Sequence, residues 1–200
     1  TYGSNDPEFT YSAPELESGD SLTGTLDRED GDDVGTYAIG QGTLDNSNYD
    51  ITFNSADLTI DAKTLTVTAD AVSKTYGQTD PPLTYKTIGL ESGDSLTGTL
   101  DRAAGDDVGT YAIGQGTLDN SNYDITFNSD DLTIDAKTLT VTADAVSKTY
   151  GSNDPEFTYS APELESGDSL TGVLDRAEGQ DVGTYAIGQG TLDNSNYDIT

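Results

Sequence analysis

The chain repeats itself, so that the residue at position i is matched by the residue at position i+74. Residues 32–52 read DDVGTYAIGQGTLDNSNYDIT, residues 106–126 repeat every letter, and residues 180–200 differ only by Gln180 in place of the first Asp. The register holds without an insertion, and the first and third copies differ at 4 of 52 shared positions. Solenoid repeats are shorter, roughly 20–50 residues, because each unit needs its neighbours for a core. A longer unit can form a small domain of marginal stability, so the period predicts a tandem array of small domains.

The period also sets the domain boundaries that we expect. We place the complete repeat at residues 64–137. Residues 1–63 are then a first repeat that lacks its opening strand, and residues 138–200 are a third repeat that lacks its closing strands.

Short alternating segments indicate strands within the complete repeat. In TLTVTAD (Thr64–Asp70), Leu65 and Val67 share one face and threonines the other, which is the pattern of a half-buried strand. Turn residues separate about six such segments, a spacing typical of a sandwich or small barrel. We therefore predict an all-β chain of immunoglobulin-like β-sandwich repeats. The alternative is a β-grasp-like repeat, which needs a helix across its sheet, and only GLESGDSL has room for one turn. The six segments are TLTVTAD, LTYKTIGL, SLTGTLDR, TYAIGQGTL, YDITFN and DLTID.

The segment that joins consecutive repeats is short. LTIDAKTLTVT occurs at Leu58–Thr68 and again at Leu132–Thr142, and it contains no Gly, Pro or Ser. Flexible linkers are rich in Gly and Ser. Only Asp-Ala-Lys lies between the two predicted strands, so we expect a stiff junction.

Composition excludes several classes of function. The net charge is −29, from 37 acidic and 8 basic residues, which argues against nucleic acid and against insertion of this segment into a membrane. Without cysteine there is neither a disulfide framework nor a thiolate metal site. Histidine, the commonest general base, is also missing, and the carboxylates lie in polar turns. We predict that the chain is not an enzyme and has no catalytic residues.

A D-x-G-x-Y motif occurs once in each copy. In immunoglobulin-like sandwiches a tyrosine near the start of a late strand donates its hydroxyl to the backbone upstream, an arrangement called the tyrosine corner. We predict this structural role, with the glycine permitting a sharp turn, in preference to a ligand-stacking tyrosine. The residues are Asp33, Gly35, Tyr37, Asp107, Gly109, Tyr111, Asp181, Gly183 and Tyr185.

Two acidic turns are candidates for cation sites. DREDGDD (27–33) resembles a calcium loop, but its glycine is fifth rather than sixth, and a site built by Glu29, Asp30 and Asp32 is not common to all three copies. LDNSNYD (44–50) recurs in every copy, although Asn and Asp also form turns by bonding their own backbone. We expect no cofactor, with calcium left open as the ion this turn would take. Its candidate ligands are Asp45, Asn46, Asn48 and Asp50. Lys63 and Lys137 are the lysines we would first test for a Lys–Asn crosslink.

The motifs VSKTYGQTDPPLTY, GDSLTGTLDR, DVGTYAIGQGTL and NYDITF, in this order, resemble the MBG/YDG-type tandem repeats of large bacterial surface proteins and adhesins. The resemblance covers essentially the whole chain. It implies an extracellular all-β module without catalytic chemistry. Its recurring positions here read as turn and core residues, namely Tyr76, Gly77, Asp80, Pro81, Gly109, Tyr111, Asn122 and Tyr123.

On this basis we expect a non-catalytic stalk segment of a bacterial cell-surface adhesin or extracellular fibre. Its expected partners are the neighbouring repeats of the same protein. Two alternatives stay open: a multivalent glycan- or cation-binding module, and a self-associating subunit of a filament in which strands are exchanged between chains.

Overall fold

The computed structural model describes residues 1–200, and all sixteen of its regular elements are β-strands. The prediction of an all-β chain is confirmed. No residue is helical, so the helix that the β-grasp alternative requires is missing. The chain likewise contains no apolar helix that could cross a membrane.

The first repeat contributes one antiparallel sheet of three strands, in the order β1-β2-β3. The strand pairs match Arg28 with Ile39 and Tyr37 with Leu58. The strands are β1 (Asp27–Arg28), β2 (Gly35–Gly40) and β3 (Ala56–Ile60).

The middle repeat builds two mixed sheets, in the orders β6-β4-β9 and β5-β10-β8-β7. In each sheet one pair is parallel: β4 runs beside β9, and β5 runs beside β10. These pairings do not by themselves define an immunoglobulin-like sandwich, which stays a prediction. The strands are β4 (Lys63–Ala69), β5 (Val72–Thr75), β6 (Tyr85–Ile88), β7 (Asp101–Arg102), β8 (Gly109–Gly114), β9 (Tyr123–Asn128) and β10 (Asp130–Asp135).

The third repeat forms three two-stranded pairs. Two of the pairs are antiparallel, and the pair β11-β16 is parallel, like its counterpart β4-β9. The strands are β11 (Lys137–Leu139), β12 (Thr142–Ala143), β13 (Tyr159–Ser160), β14 (Asp175–Arg176), β15 (Ile187–Gly188) and β16 (Tyr197–Ile199).

Two segments differ from the sequence-based expectation. Val72–Thr75 lies between the predicted strands TLTVTAD and LTYKTIGL but forms β5, because the distant strand β10 supplies its hydrogen-bond partners. SLTGTLDR is predicted as one strand, but it holds only an isolated bridge from Thr97 to Asp119 and the two residues of β7. Gly98, with φ at +89°, turns the backbone between them.

The chain divides into two compact units whose limits fall inside the middle repeat. The first unit contains residues 1–69, 85–100 and 115–128, and the second contains residues 70–84, 101–114 and 129–200. Sheet β6-β4-β9 therefore belongs to the first unit, and sheet β5-β10-β8-β7 belongs to the second. Each unit joins one sheet of the middle repeat to a neighbouring repeat. Independent folding of residues 64–137 stays a prediction.

Each unit has its own small core. In the first unit, Leu65 and Val67 of β4 are fully buried and pack with Leu118 and Tyr123. In the second unit, the most deeply buried side chains are those of Ile113, Leu132 and Ile134. Such thin cores make every buried side chain a large fraction of the stability.

Candidate functional site: the junction between consecutive repeats

The junction begins where the last strand of one repeat passes directly into the first strand of the next. Only two residues separate β3 from β4 in the first unit. The amide of Lys63 donates to the carbonyl of Asn122 at 3.0 Å. Lys137 donates to the carbonyl of Asn196 at the same distance in the second unit. The chain therefore enters each following repeat along a hydrogen-bonded path.

An asparagine then ties the two repeats together through its side chain. The Nδ2 of Asn122 donates to Asp33 Oδ1 at 2.8 Å, and its Oδ1 accepts from the amide of Val34 at 3.0 Å. Both polar ends of one amide are thus used by the preceding repeat. The counterpart Asn196, which is only 7% exposed, binds Asp107 and Val108 at 2.8 and 2.9 Å.

A pair of tyrosines packs beside this asparagine. The rings of Tyr2 and Tyr123 meet edge to face, with centroids 5.5 Å apart and planes at 73°. Both hydroxyls donate to the carboxylate of Asp94, and the Tyr123 hydroxyl also accepts from the amide of Glu91. Edge-to-face pairs stabilise by about 0.5–1.5 kcal/mol beyond their buried area.

The second unit repeats the tyrosine pair with nearly the same geometry. Tyr76 and Tyr197 have centroids 5.6 Å apart and planes at 75°. Their hydroxyls donate to Asp168 at 2.9 and 2.8 Å, and the amide of Glu165 donates to the Tyr197 hydroxyl. The same junction is therefore built twice from residues of different copies.

The shared carboxylates change the acidity of these phenols. The hydrogen bond to Asp168, together with burial, raises the pKa of Tyr76 to about 12. The hydrogen bond to Asp94 likewise raises the pKa of Tyr2. For Tyr123 and Tyr197 burial is the main cause of a raised pKa. Each junction thus shifts the ionisation of its phenols to a higher pH than that of a free tyrosine.

We expect this acidity to appear in an ultraviolet absorbance titration of the phenolate. Tyr76 should ionise near pH 12, whereas an unperturbed tyrosine ionises near pH 10. A tyrosine pKa that is higher in the folded than in the unfolded state stabilises the folded protein. This contribution is fully present below about pH 10 and is lost as the pH rises from 10 through 12. Tyr76→Phe should lower the amplitude of the late phase by one tyrosine, the rest coming from the other junction tyrosines whose pKa is raised. Tyr150→Phe is the control, because Tyr150 is the 70%-exposed counterpart in the third repeat, and a lower late-phase amplitude in that variant instead would contradict the assignment.

Two lysines complete the junctions by ion pairing. Lys63 pairs with Glu91 in the first unit, and Lys137 pairs with Glu165 in the second. The carboxylate of Glu165 raises the pKa of Lys137. These are the two candidate lysines for a Lys–Asn crosslink, which stays a prediction.

An arginine network stabilises the turn that follows Tyr76. Arg102 donates to Asp80 at 2.8 Å and to Asp106 at 2.9 Å, while the buried Lys74 donates to Asp80 at 2.6 Å. Arg102, and then Lys74, hold the pKa of the Asp80 carboxyl below its usual range. Arg28–Asp6 and Arg176–Asp154 are the matching pairs in the other repeats. The sequence-based interpretation missed this network, although the 22-residue spacing in every copy was a visible signal.

The residues predicted for a tyrosine corner lie beside this network. The hydroxyls of Tyr37, Tyr111 and Tyr185 donate to the carbonyls four residues upstream, those of Asp33, Asp107 and Asp181, at 2.8, 2.8 and 2.9 Å. An arginine guanidinium lies over each ring, 5.1–5.3 Å from the centroid. Their role as an immunoglobulin-type corner stays a prediction.

That the glycines of the motif permit a sharp turn stays a prediction, and their backbone is not in the left-handed region. Gly35, Gly109 and Gly183 have no positive φ. The positive φ belongs to Gly31, Gly105 and Gly179 just upstream, at 139–142°, where a Cβ would strike the tyrosine ring. The side chain of Asp33 has a further use that the motif did not reveal, since it accepts from Asn122 across the junction.

The candidate cation turn is held by its own hydrogen bonds. Asp45 bridges to Thr23 through the backbone, Asn46 Nδ2 donates to the carbonyl of Ser21 at 2.8 Å, and the amide of Asn48 donates to Asn46 Oδ1 at 2.9 Å. No three acidic side chains gather as a metal site. Asp50 is exposed. Asn122 and Asn196, the counterparts of Asn48, bind the preceding repeat. Cation binding here stays a prediction.

These features define a class of protein: an all-β module that is repeated in tandem, with side-chain contacts between successive copies. The chain belongs to the MBG domain family of the YGX type, whose sequence profile matches residues 1–59, 65–133 and 139–200. Repeats of this family are non-catalytic modules found in surface proteins. No curated protein and no solved structure matches the chain.

Proposed function

We propose that the chain is a stalk segment of a bacterial cell-surface adhesin or extracellular fibre, in which repeat number sets the distance that is spanned. The duplicated junction carries this proposal. A flexible tether needs no specific contacts between repeats. This chain instead uses an asparagine, a tyrosine pair and a lysine–glutamate pair at each of two junctions.

The charge of the chain supports the same function. Residues 75–148, which make up one full period, contain 12 acidic and 4 basic side chains and so carry a net charge of −8. Like charges on successive repeats keep such an array soluble and disfavour its collapse. The screening length is only ~8 Å at physiological salt, so the contacts at the junction, rather than repulsion, must fix the direction of the array.

Small-angle X-ray scattering on the intact chain tests the proposal. We expect one maximum dimension at all protein concentrations, with calcium and with chelator. The double variant Asn122→Ala/Asn196→Ala should scatter as a more flexible particle, because each substitution removes two hydrogen bonds across a junction. Urea unfolding should show a loss of about 1–3 kcal/mol for the buried Asn196, since its partners are left unpaired, and a smaller loss for Asn122, whose two bonds are exposed to solvent.

Asn48→Ala is the matched control, since this counterpart makes no bond to another repeat in the structure. It should leave both the scattering and the unfolding midpoint unchanged. A wild-type chain that is already flexible would contradict a stalk function. A particle that shortens in chelator would favour the cation-binding alternative instead.

A further inference from the structure

Four of the twelve tyrosines lie ring to ring, as two pairs that each span a junction. Tyr2 of the first repeat contacts Tyr123 of the middle repeat. Tyr76 of the middle repeat contacts Tyr197 of the third. We call these the junction tyrosine pairs. Their centroids are 5.5 and 5.6 Å apart, a separation at which the edge of one ring touches the face of the other. Each pair therefore brings phenols of two different repeats into contact.

The hydroxyl ends of each pair converge on a single carboxylate oxygen. Tyr76 and Tyr197 both donate to Asp168 Oδ2, at 2.9 and 2.8 Å. The first unit has the same arrangement, with both hydroxyls on Oδ2 of Asp94. The two Cε carbons of a tyrosine, which are ortho to its hydroxyl, flank the end of the ring that is held in this way. These are the carbons at which two oxidised tyrosines couple, so the arrangement brings the reactive ends of both rings together.

The shared carboxylate also supplies the base that oxidation of a phenol needs. A tyrosine is un-ionised below about pH 10, so removal of an electron must be accompanied by loss of the hydroxyl proton. Asp168 already accepts that hydrogen bond and is half-buried, so it can take the proton and pass it to solvent. The hydroxyls of Tyr37, Tyr111 and Tyr185 donate to backbone carbonyls, which are far weaker bases. The junction tyrosine pairs therefore combine a ring partner with a proton acceptor.

We propose that each junction tyrosine pair is a site of dityrosine formation, which joins consecutive repeats covalently when hydrogen peroxide and a peroxidase supply a one-electron oxidant. Each phenol gives up one electron and its hydroxyl proton, and the unpaired electron of the phenoxyl radical is shared by the ortho carbons. A carbon–carbon bond forms between one ortho carbon of each ring. The proton on each of these carbons then leaves, and a proton returns to each phenolic oxygen. In sum, two tyrosines and one hydrogen peroxide give one dityrosine and two waters.

The two bonds enclose overlapping stretches of the chain. The first joins Tyr2 to Tyr123. The second joins Tyr76 to Tyr197, so the second loop opens before the first one closes. A crosslink restricts the unfolded chain, and it does so more strongly when the loop is long. A load on the ends of the chain cannot extend either loop fully, because a covalent bond closes each of them. This chemistry belongs to the junction and does not depend on the stalk function.

Oxidation of the intact chain by photoexcited tris(bipyridyl)ruthenium(II) with persulfate, at low protein concentration, tests the proposal. The reagent is a diffusible one-electron oxidant. We expect dityrosine fluorescence in the monomer, and an intact mass that is lower by two hydrogens for each bond. The four junction tyrosines lie in four different tryptic peptides, so tandem mass spectrometry can identify the partners. It should join Tyr2 to Tyr123 and Tyr76 to Tyr197. The crosslinked monomer should also unfold at a higher urea concentration.

Each junction serves as the internal reference for variants of the other. Tyr76→Phe keeps the ring but should abolish the bond to Tyr197, while the bond between Tyr2 and Tyr123 forms as before. Tyr150→Phe is the matched control, because Tyr150 is 70% exposed and contacts no other ring. Both bonds should form in that variant with the yield of the unmodified chain.

Asp168→Asn tests the carboxylate as a positioning group and proton acceptor. The amide oxygen can still accept the two hydroxyl hydrogen bonds, but it is a far weaker base. The bond between Tyr76 and Tyr197 should therefore form at least about 10-fold more slowly, with the other junction unaffected. The proposal is overturned if dityrosine forms only between chains, if Tyr76→Phe leaves the yield within the chain unchanged, or if Asp168→Asn reacts at the original rate. None of these results bears on the stalk function, which rests on the scattering experiment.

Discussion

Leu65→Ala is expected to lower the free energy of unfolding of the first unit by about 3 kcal/mol, within the roughly 2–5 kcal/mol typical of large-to-small core substitutions. Leu65 has no exposed surface and lies at the centre of the cluster with Val67, Leu118 and Tyr123. Its removal leaves a cavity that the short strands around it cannot close. A small domain has only about 5–15 kcal/mol of stability, so this is a large fraction of the total.

Urea unfolding followed by tyrosine fluorescence measures the loss, and native-state hydrogen exchange locates it. Faster exchange should concentrate in residues 63–69, 85–88 and 123–128, which form one sheet. Thr64→Ala is the control on the same strand, because Thr64 is exposed. A loss below about 1 kcal/mol for Leu65→Ala would mean that this cluster is not the core of the unit.

Gly98→Ala is expected to have a similar effect for a different reason. Gly98 has φ at +89°, and a Cβ there would lie 2.1 Å from the carbonyl oxygen of Thr117. The backbone conformation alone costs about 1–3 kcal/mol for a residue other than glycine. Displacing a hydrogen-bonded backbone segment adds about 1–3 kcal/mol, so we expect a total near 4 kcal/mol.

Gly93→Ala separates these two contributions. Gly93 has φ at +102°, but a Cβ there meets nothing within 4 Å. Gly93→Ala should cost only the backbone contribution, about 1–3 kcal/mol. Thermal or urea unfolding of the two variants side by side decides the point. Equal losses of unfolding free energy in the two variants would show that the contact with Thr117 does not contribute to the effect of Gly98→Ala. Gly24 and Gly172 meet the same clash in the other repeats, at 2.1 and 2.0 Å.

The sequence predicted those strands whose pattern depends only on residues close to each other in the chain. The alternation in TLTVTAD and YDITFN located β4 and β9, because burial of one strand face leaves a period of two. The same rule failed for SLTGTLDR, where Gly98 turns the chain and only the last two residues, β7, pair with a neighbouring strand. It also missed β5, because the parallel partner that holds these residues is distant in sequence, with Val72 opposite Leu132. Pairing at that distance leaves no periodic trace.

The junction was visible as a set of recurring residues but not as a set of contacts. The sequence identifies Asn122, Tyr123 and Tyr76 as turn and core residues of a single repeat. The hydrogen-bond partners of Asn122 and Tyr76 lie 88–92 residues away in the sequence, which is more than one period. When copies are nearly identical, sequence alone cannot tell a contact within one repeat from a contact with the next. The structure removes this ambiguity, because Asn122 is hydrogen-bonded to Asp33 and Asn196 is hydrogen-bonded to Asp107.

That separation has a consequence for how such a gene can change length. Every junction contact of these asparagines joins a residue of one copy to a residue of the following copy at a fixed offset. Unequal recombination that deletes or inserts one whole period in register replaces each partner with an equivalent one. The crossover point can fall anywhere in the period, because the contacts depend on the offset between two residues and not on the position chosen as the start of a repeat. Array length can therefore vary between descendants while every interface is inherited unchanged.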